Sequence, residues 1–197
     1  MNDNSVSVQL EKFYQEYNLG EEGGNKLSFV TIELGGLFHF YIPNWDARRK
    51  AVLRHDIHHL ITGFESKILG ELEISSWEIG SGCLNYFAAY LINSSGFLLG
   101  LLIYPKASFR AFALGCDSKN LYQLHISDQD LLRESIDHWR SVCEFDSKKI
   151  PKTGVKVLSK LTSHIALAII IQFIIIVLSP FLIAFHFVQY SKLKKRK

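Results

Sequence analysis

The chain has 197 residues, of which 48% are hydrophobic, and this size is typical of one globular domain with an appendage. Its formal net charge is +3, but five lysines and arginines stand in the last six residues, and the rest of the chain carries a net charge of −2. This distribution argues against a nucleic-acid partner and favours a membrane surface. Three cysteines without a CxxC pair argue against a cysteine zinc site and favour a reducing compartment.

The amino-terminal part is predicted to form a helix followed by a short β-hairpin. Apolar residues recur at helical spacing over residues 6–19, which predicts an amphipathic helix. Two β-rich runs, residues 27–34 and 37–42, flank two consecutive glycines and predict a hairpin. The first 19 residues contain acidic side chains and no apolar run, so we expect neither a secretory signal nor an Arg-rich transit peptide.

Two helices joined by a short turn are predicted next. The first starts with Asn44 or Asp46 as its cap and runs to about residue 62, before Gly63, and the second runs from Ser66, as its cap, to about residue 79. Four basic residues crowd the first helix, and we interpret them as a solvated face, with a contact to an anion or a lipid phosphate as the alternative. They are Arg48, Arg49, Lys50 and Arg54.

Four side chains of the kinds that bind divalent metals fall on these two helices. They are His55, Asp56, His59 and Glu71. A helix places His55 and His59 on one face, with Asp56 on the same flank. Two imidazoles with one or two carboxylates suit Zn²⁺ or another divalent ion and leave a coordination position open, whereas the plainer alternative is a polar helix face. His58 is an alternative ligand or a hydrogen-bond donor behind the ligands, and Glu78 is expected to support the ligands in the same way.

The pattern His55-Asp56-x-x-His59, followed after eleven residues by Glu71, resembles the signature of the coenzyme Q biosynthesis protein 4 family. The resemblance covers residues 47–80 and extends to two dipeptides beside the motif. They are Thr62-Gly63 and Leu69-Gly70. The resemblance implies a mostly helical fold with an apolar groove for a prenyl chain. It also implies that the matching His, Asp, His and Glu hold a divalent metal, usually taken as zinc.

The function implied by this resemblance is a step of ubiquinone biosynthesis. It is the removal of the ring carboxyl group at C1 of a prenylated benzoate precursor, with hydroxylation, and we expect Glu71 and Asp56 to be its catalytic carboxylates. The partners would be the lipid bilayer, a prenylated quinone precursor or another isoprenoid lipid, and other quinone-pathway enzymes. A non-enzymatic prenyl-lipid-binding scaffold for those enzymes is the first alternative.

A second alternative is a metallohydrolase. The two histidines resemble those of the zincins, but zincins place Glu, not Asp, next to the first His. A phosphohydrolase of the His-Asp type would need further ligands downstream. The residues available for that role are His125, Asp128, Asp130, Asp137 and His138.

The middle of the chain is predicted to be helical and buried. Residues 79–105 carry no charge, and we expect two helical pieces bent near residues 94–96, with a second membrane span as the alternative. A helix over residues 106–114 follows. A capping box at residues 127–130 precedes a predicted helix over residues 131–143.

The carboxyl-terminal part is predicted to anchor the protein in a membrane. Residues 161–191 contain no Asp, Glu, Lys or Arg, which is enough for one transmembrane helix. A basic linker, residues 147–160, would join it to a metal-binding domain of residues 1–146, and a basic tail, residues 192–197, would follow it. The expected fold is thus mainly α, with a short amino-terminal β-hairpin and one carboxyl-terminal transmembrane helix. We expect the soluble domain on the cytoplasmic side.

Overall fold

The computed structural model is mainly α-helical, as predicted. It describes residues 3–19, 29–34, 38–43 and 46–194, except for the side chains of residues 29–43 and of those after 179. The helices in these residues are α1 (Val6–Glu16), α2 (Asp46–Thr62), α3 (Ile68–Ser81), α4 (Phe87–Ile103), α5 (Pro105–Cys116), α6 (Asp128–Arg133), α7 (Ile136–Val142) and α8 (Val155–Lys194).

The predicted hairpin is described only in part. Two strands, β1 (Phe29–Leu34) and β2 (Phe38–Pro43), pair antiparallel in the backbone, with Phe29 opposite Pro43. Their glycine turn and the side chain of His39 lie outside the described residues. The hairpin therefore stays a prediction.

Helix α3 packs closely against α5. A side chain on Gly80 would overlap the carbonyl oxygen of Phe112, and one on Gly115 would overlap that of Trp77. The two helices therefore cross backbone to backbone, and glycine is the residue that fits at both points. This crossing fixes the position of α3, which carries two of the predicted site carboxylates.

Two clusters of buried apolar residues flank α3. The first packs α1 and α2 around Trp77 and includes Phe13 and Ile57. The second packs α4, α5 and the first half of α8 together and includes Phe97 and Ala168. The amino-terminal half of α8 is therefore part of the domain core.

Helix α4 corrects one prediction. The two pieces bent near residues 94–96 are one continuous helix of 17 residues, Phe87–Ile103. Its polar side chains donate to carbonyls of their own helix, from Asn93 to Ala89 and from Ser94 to Leu91, so they do not break it. With fewer residues than the ~20 that cross a bilayer, α4 does not favour a second span.

The helix predicted over residues 131–143 is also corrected, since it consists of the two shorter helices α6 and α7. The break coincides with the start of α1. The backbone N–H of Val6 donates to Glu134 O at 2.9 Å, and Ser5 forms a β-bridge with Ser135. A distant segment of the chain therefore interrupts the helix, and Ser135 caps the second piece.

The last helix, α8, is 40 residues long and begins at Val155, so residues 155–160 of the predicted linker are helical. Among the described residues, its part Val155–Ser179 is the one helix that is long and apolar enough to cross a membrane. Length and composition thus support the predicted membrane anchor.

Candidate metal centre

The candidate site lies between α2 and α3, where the chain reverses direction. Gly63 ends α2 in the left-handed conformation, with φ +74°, and its N–H donates to His59 O at 2.8 Å. Ser66 does not cap α3 as predicted, since the cap residue is Lys67. The Ser66 hydroxyl instead donates to Glu71 Oε1 at 2.6 Å. The turn thereby positions Glu71 opposite α2.

His55, His59 and Glu71 converge on one point, with ligand atoms that all lie within 4.8 Å of one another. The two Nε2 atoms are 3.3 Å apart. Glu71 Oε2 lies 3.3 Å from His55 Nε2, and Glu71 Oε1 lies 3.4 Å from His59 Nε2. Three of the four predicted ligands thus form a group that can hold a metal ion.

The other ring nitrogen of each histidine is held from behind. His55 Nδ1 lies 3.1 Å from Glu78 Oε1, and His59 Nδ1 lies 2.8 Å from the carbonyl oxygen of Phe64. Because these oxygens accept hydrogen bonds, each Nδ1 carries the hydrogen in the neutral ring. Each Nε2 then directs a lone pair at the shared point, as in metal-binding histidines.

The spacing of the two nitrogens fits a metal ion. Two nitrogen ligands at about 2.0–2.1 Å from a tetrahedral zinc ion lie ~3.3 Å from each other. The Nε2 atoms of His55 and His59 are separated by the same distance. Two lone pairs facing each other at this distance repel, so either a proton or a metal ion lies between the two nitrogens. The donor set, two imidazoles and one carboxylate, suits zinc and other divalent ions alike.

Glu78 is a fully buried carboxylate behind the histidines. His58 Nδ1 lies 2.6 Å from its Oε1, the Tyr122 hydroxyl donates to its Oε2 at 3.1 Å, and Asn93 Nδ2 also donates to Oε2. Burial alone would raise the pKa of Glu78, but the charges and hydrogen bonds of His55 and His58 outweigh it and hold this pKa far below its usual range. Glu78 therefore stays ionised.

His58 is a structural partner in this arrangement. Its side chain is completely buried, and its Nε2 accepts a hydrogen bond from Leu121 N at 2.9 Å. With Nε2 occupied and Nδ1 donating to Glu78, no free nitrogen is left for a metal. The alternative that His58 is a ligand is therefore not supported, whereas the arrangement fits a supporting role.

Asp56 is buried beside the cluster but outside the group of three. Its Oδ2 accepts a hydrogen bond of 2.9 Å from the Tyr14 hydroxyl. Burial raises the pKa of Asp56 to about 6, against the lowering effect of His55 and of the Tyr14 hydrogen bond. Its assignment as a ligand or a catalytic carboxylate stays a prediction.

The site has an excess of negative charge. The ion pairs that the described residues record for Glu71 and Glu78 are all with histidines. Burial by itself lowers the pKa of His55, but the charges of Glu78 and Glu71 raise it well above its usual value. The two carboxylates thus favour positive charge on or between the histidines, which a protonated His55 or a divalent ion can provide.

The basic residues of α2 do not form one solvated face. Arg54 is buried, and its guanidinium donates to Asp128 Oδ1 at 3.0 Å and to Ile126 O at 3.2 Å. It therefore joins α2 to the segment before α6 and is not free to bind an anion. Asp128, one of the downstream residues considered for a His-Asp phosphohydrolase, is thus paired with Arg54. Among the described residues, the group of three candidate ligands includes neither Asp128 nor the others considered for that role, which are His125, Asp130, Asp137 and His138.

Sequence reasoning missed Tyr14, Asn93 and Tyr122, which hold the carboxylates of the site. Each comes from an element outside the motif. The sequence offered one indication for Asn93, because an amide within the uncharged stretch of α4 is expected to be buried and therefore to need a hydrogen-bond partner. The two tyrosines had none, because apolar packing explains them equally well in the sequence.

Comparisons of the whole chain with protein-family models, with curated proteins and with solved structures find no match. The resemblance of residues 47–80 to the coenzyme Q biosynthesis protein 4 family therefore stays a prediction, and the candidate metal centre rests on the geometry of its own side chains.

Proposed function

We propose that the chain is a membrane-anchored, metal-dependent enzyme of prenyl-lipid metabolism that removes the carboxyl group of a prenylated aromatic acid. The observation that carries the metal dependence is the pair of Nε2 atoms, 3.3 Å apart, whose opposite ring nitrogens are both held by hydrogen-bond acceptors. The membrane-spanning length of α8 and the motif shared with the ubiquinone family support a lipid substrate.

The proposed roles follow from what each side chain contacts. His55, His59 and Glu71 would hold a divalent ion, which would bind the carboxylate and phenolate oxygens of the substrate and offset the charge that develops as carbon dioxide leaves. Three protein ligands leave a position for the substrate. The Glu71 side chain is 43% exposed, which leaves this side of the site accessible.

The carbon–carbon bond to the carboxyl group breaks, its electron pair stays on the ring carbon, and that carbon takes up a proton. Asp56, held by the Tyr14 hydroxyl beside the histidines, is the buried carboxyl group that can keep this proton near the ring. The oxidative form of the reaction, in which the ring carbon takes a hydroxyl group, requires a separate oxidant.

The substitution Glu71→Gln tests the proposal, because it keeps the shape of the side chain and removes its charge. We expect turnover of a carboxylated, prenylated aromatic acid by the full chain to fall by about 10²-fold or more, while metal content falls only modestly when the buffer supplies the ion well above its Kd. The matched control is Glu73→Gln on the same helix, which should leave both unchanged. Mass spectrometry would detect the decarboxylated product, and metal analysis would use the same samples.

Two results would contradict the proposal. Unchanged turnover in Glu71→Gln would remove this residue from the chemistry. Complete loss of metal together with unfolding would indicate a structural ion and favour the scaffold function. The double substitution of His55 and His59 by alanine should abolish metal binding, and full metal content in that variant would refute the site itself.

A further inference from the structure

Helix α4 runs alongside the membrane anchor and in the same direction. Tyr90 OH lies 3.0 Å from His164 Nδ1, and four residues further along α4, Ser94 Oγ accepts a hydrogen bond of 2.8 Å from Gln172. Residue numbers rise together in the two helices, and Ala168 between these contacts is fully buried. The carboxyl-terminal ends of α4 and of the described anchor therefore point towards the same side of the domain.

The length of a membrane span and the rise per helical residue then indicate where α4 lies relative to the bilayer. The charge-free run of α8 ends at Ser191, just before the basic tail. Any span of about 20 residues within this run, which starts at residue 161, begins at or before residue 172. That residue contacts Ser94, and α4 continues for nine more residues to Ile103, or ~13 Å along the helix axis. The carboxyl-terminal half of α4 is thus level with the bilayer.

This end of the domain carries an exposed apolar patch, next to the exposed ion pair of Lys67 with Glu65. The exposed apolar residues at the start of α3 and the end of α4 are called here the tip surface. They are Ile68, Leu69, Leu99, Leu102, Ile103 and Tyr104. Ile68 and Leu102 are the most exposed, at 75% and 78%. The two helix ends are neighbours, since a Cβ on Gly100 would lie 3.2 Å from Leu72 Cβ.

We propose that the tip surface inserts into the membrane leaflet through which α8 enters. A surface of this kind marks a membrane or protein contact. Its continuity with the exposed apolar side chains of α8, such as Phe173, favours the bilayer. Two exposed lysines, Lys67 and Lys106, flank the tip surface, and their long side chains allow their charges to extend towards lipid phosphates while the apolar residues insert.

This insertion would place the metal centre at the membrane interface. Glu71 follows Ile68 by one turn of α3, or ~4.5 Å along the axis. The accessible side of the candidate site therefore adjoins the headgroup region. A molecule held in the leaflet would reach Glu71 without crossing bulk water. The inference concerns the orientation of the domain and does not depend on the reaction proposed above.

The test is the depth of a spin label on the full chain, reconstituted in vesicles of phosphatidylcholine and phosphatidylglycerol. Leu102→Cys places the label on the tip surface. Leu84→Cys is the matched control, because this exposed leucine lies before the opposite end of α4. Labelling of the unsubstituted chain would measure the background from the native cysteines. Collisions with oxygen, which concentrates in lipid, and with a water-soluble nickel complex would then be compared.

We expect the oxygen-to-nickel collision ratio to be several-fold higher at position 102 than at position 84. Equal ratios at both positions would overturn the proposal. Protection of position 102 from both reagents would also overturn it, because another copy of the chain would then cover the tip surface. The measurement requires neither metal nor turnover, so its failure would leave the proposed reaction untouched.

Discussion

The substitution Glu78→Gln tests whether the buried carboxylate behind the histidines tunes metal binding. The Gln side chain keeps the shape of Glu78 but replaces one acceptor oxygen with an NH₂ group. That group would face the Asn93 and Tyr122 donors, which now donate to Oε2. At the same time His55 loses the negative charge at its Nδ1, so its Nε2 becomes a poorer ligand.

Loss of such a hydrogen-bond partner lowers metal affinity by about 10- to 100-fold, which corresponds to about 1.4–2.8 kcal/mol. Competition with a chromophoric chelator, on the demetallated full chain in detergent, would measure the change in Kd. Glu73→Gln on the same helix is the control and should bind with the affinity of the unsubstituted chain. A wild-type Kd in a folded Glu78→Gln variant would refute the reasoning.

If Glu78→Gln does not fold, a milder substitution at a residue that contacts Glu78 tests the same role. Tyr122→Phe removes one hydroxyl, whose single hydrogen is shared between two acceptors, Glu78 Oε2 and the carbonyl of Ala51, each at 3.1 Å. We expect it to lower the free energy of unfolding by about 1.5–3 kcal/mol and to weaken metal binding less than Glu78→Gln does. Tighter metal binding in Tyr122→Phe would contradict the supporting role of Glu78.

Three further predictions concern the rest of the domain. A fragment of residues 1–172 should melt at a higher temperature than one of residues 1–160, because it keeps the core contacts of α8; equal melting in circular dichroism would contradict this. Burial raises the pKa of Cys143 to about 12 and also raises that of Cys116, but Cys116 is only half-buried, so iodoacetamide should modify Cys116 before Cys143, as peptide mass spectrometry would show. Ser135→Ala, which removes the cap of α7, should cost about 1 kcal/mol in chemical denaturation, and no change would refute the cap.

Local signals predicted the centre of the molecule well. The helix predicted to start at a cap of Asn44 or Asp46 and to run to about Thr62 is observed over Asp46–Thr62, with Asp46 in its first turn and the left-handed Gly63 after its end. The spacing of His55 and His59 placed both on one face, and Glu71 joins them in the structure. These features depend on residues close together in the sequence, and for that reason the sequence reveals them.

Two of the wrong predictions, the single helix over residues 131–143 and the solvated Arg54, have a common cause in contacts between distant segments. The docking of α1 against Glu134 splits a helix that the capping box at Ser127 starts as predicted. The burial of Arg54 depends on a carboxylate that lies 74 residues further along the chain. The residues near Glu134 do not indicate that α1 docks there, and the residues near Arg54 do not indicate that it binds Asp128. Sequence reasoning therefore placed Arg54 on a solvated face.

The glycine crossing of α3 and α5 has a consequence for how the ion is bound. With Gly80 and Gly115 in backbone contact, α3 cannot roll about its own axis without separating the two helices. The backbone at positions 71 and 78 is therefore in place before any ion arrives, and the Ser66 hydroxyl orients the Glu71 side chain. An ion that binds there would order little additional backbone, so less conformational entropy would be lost on binding.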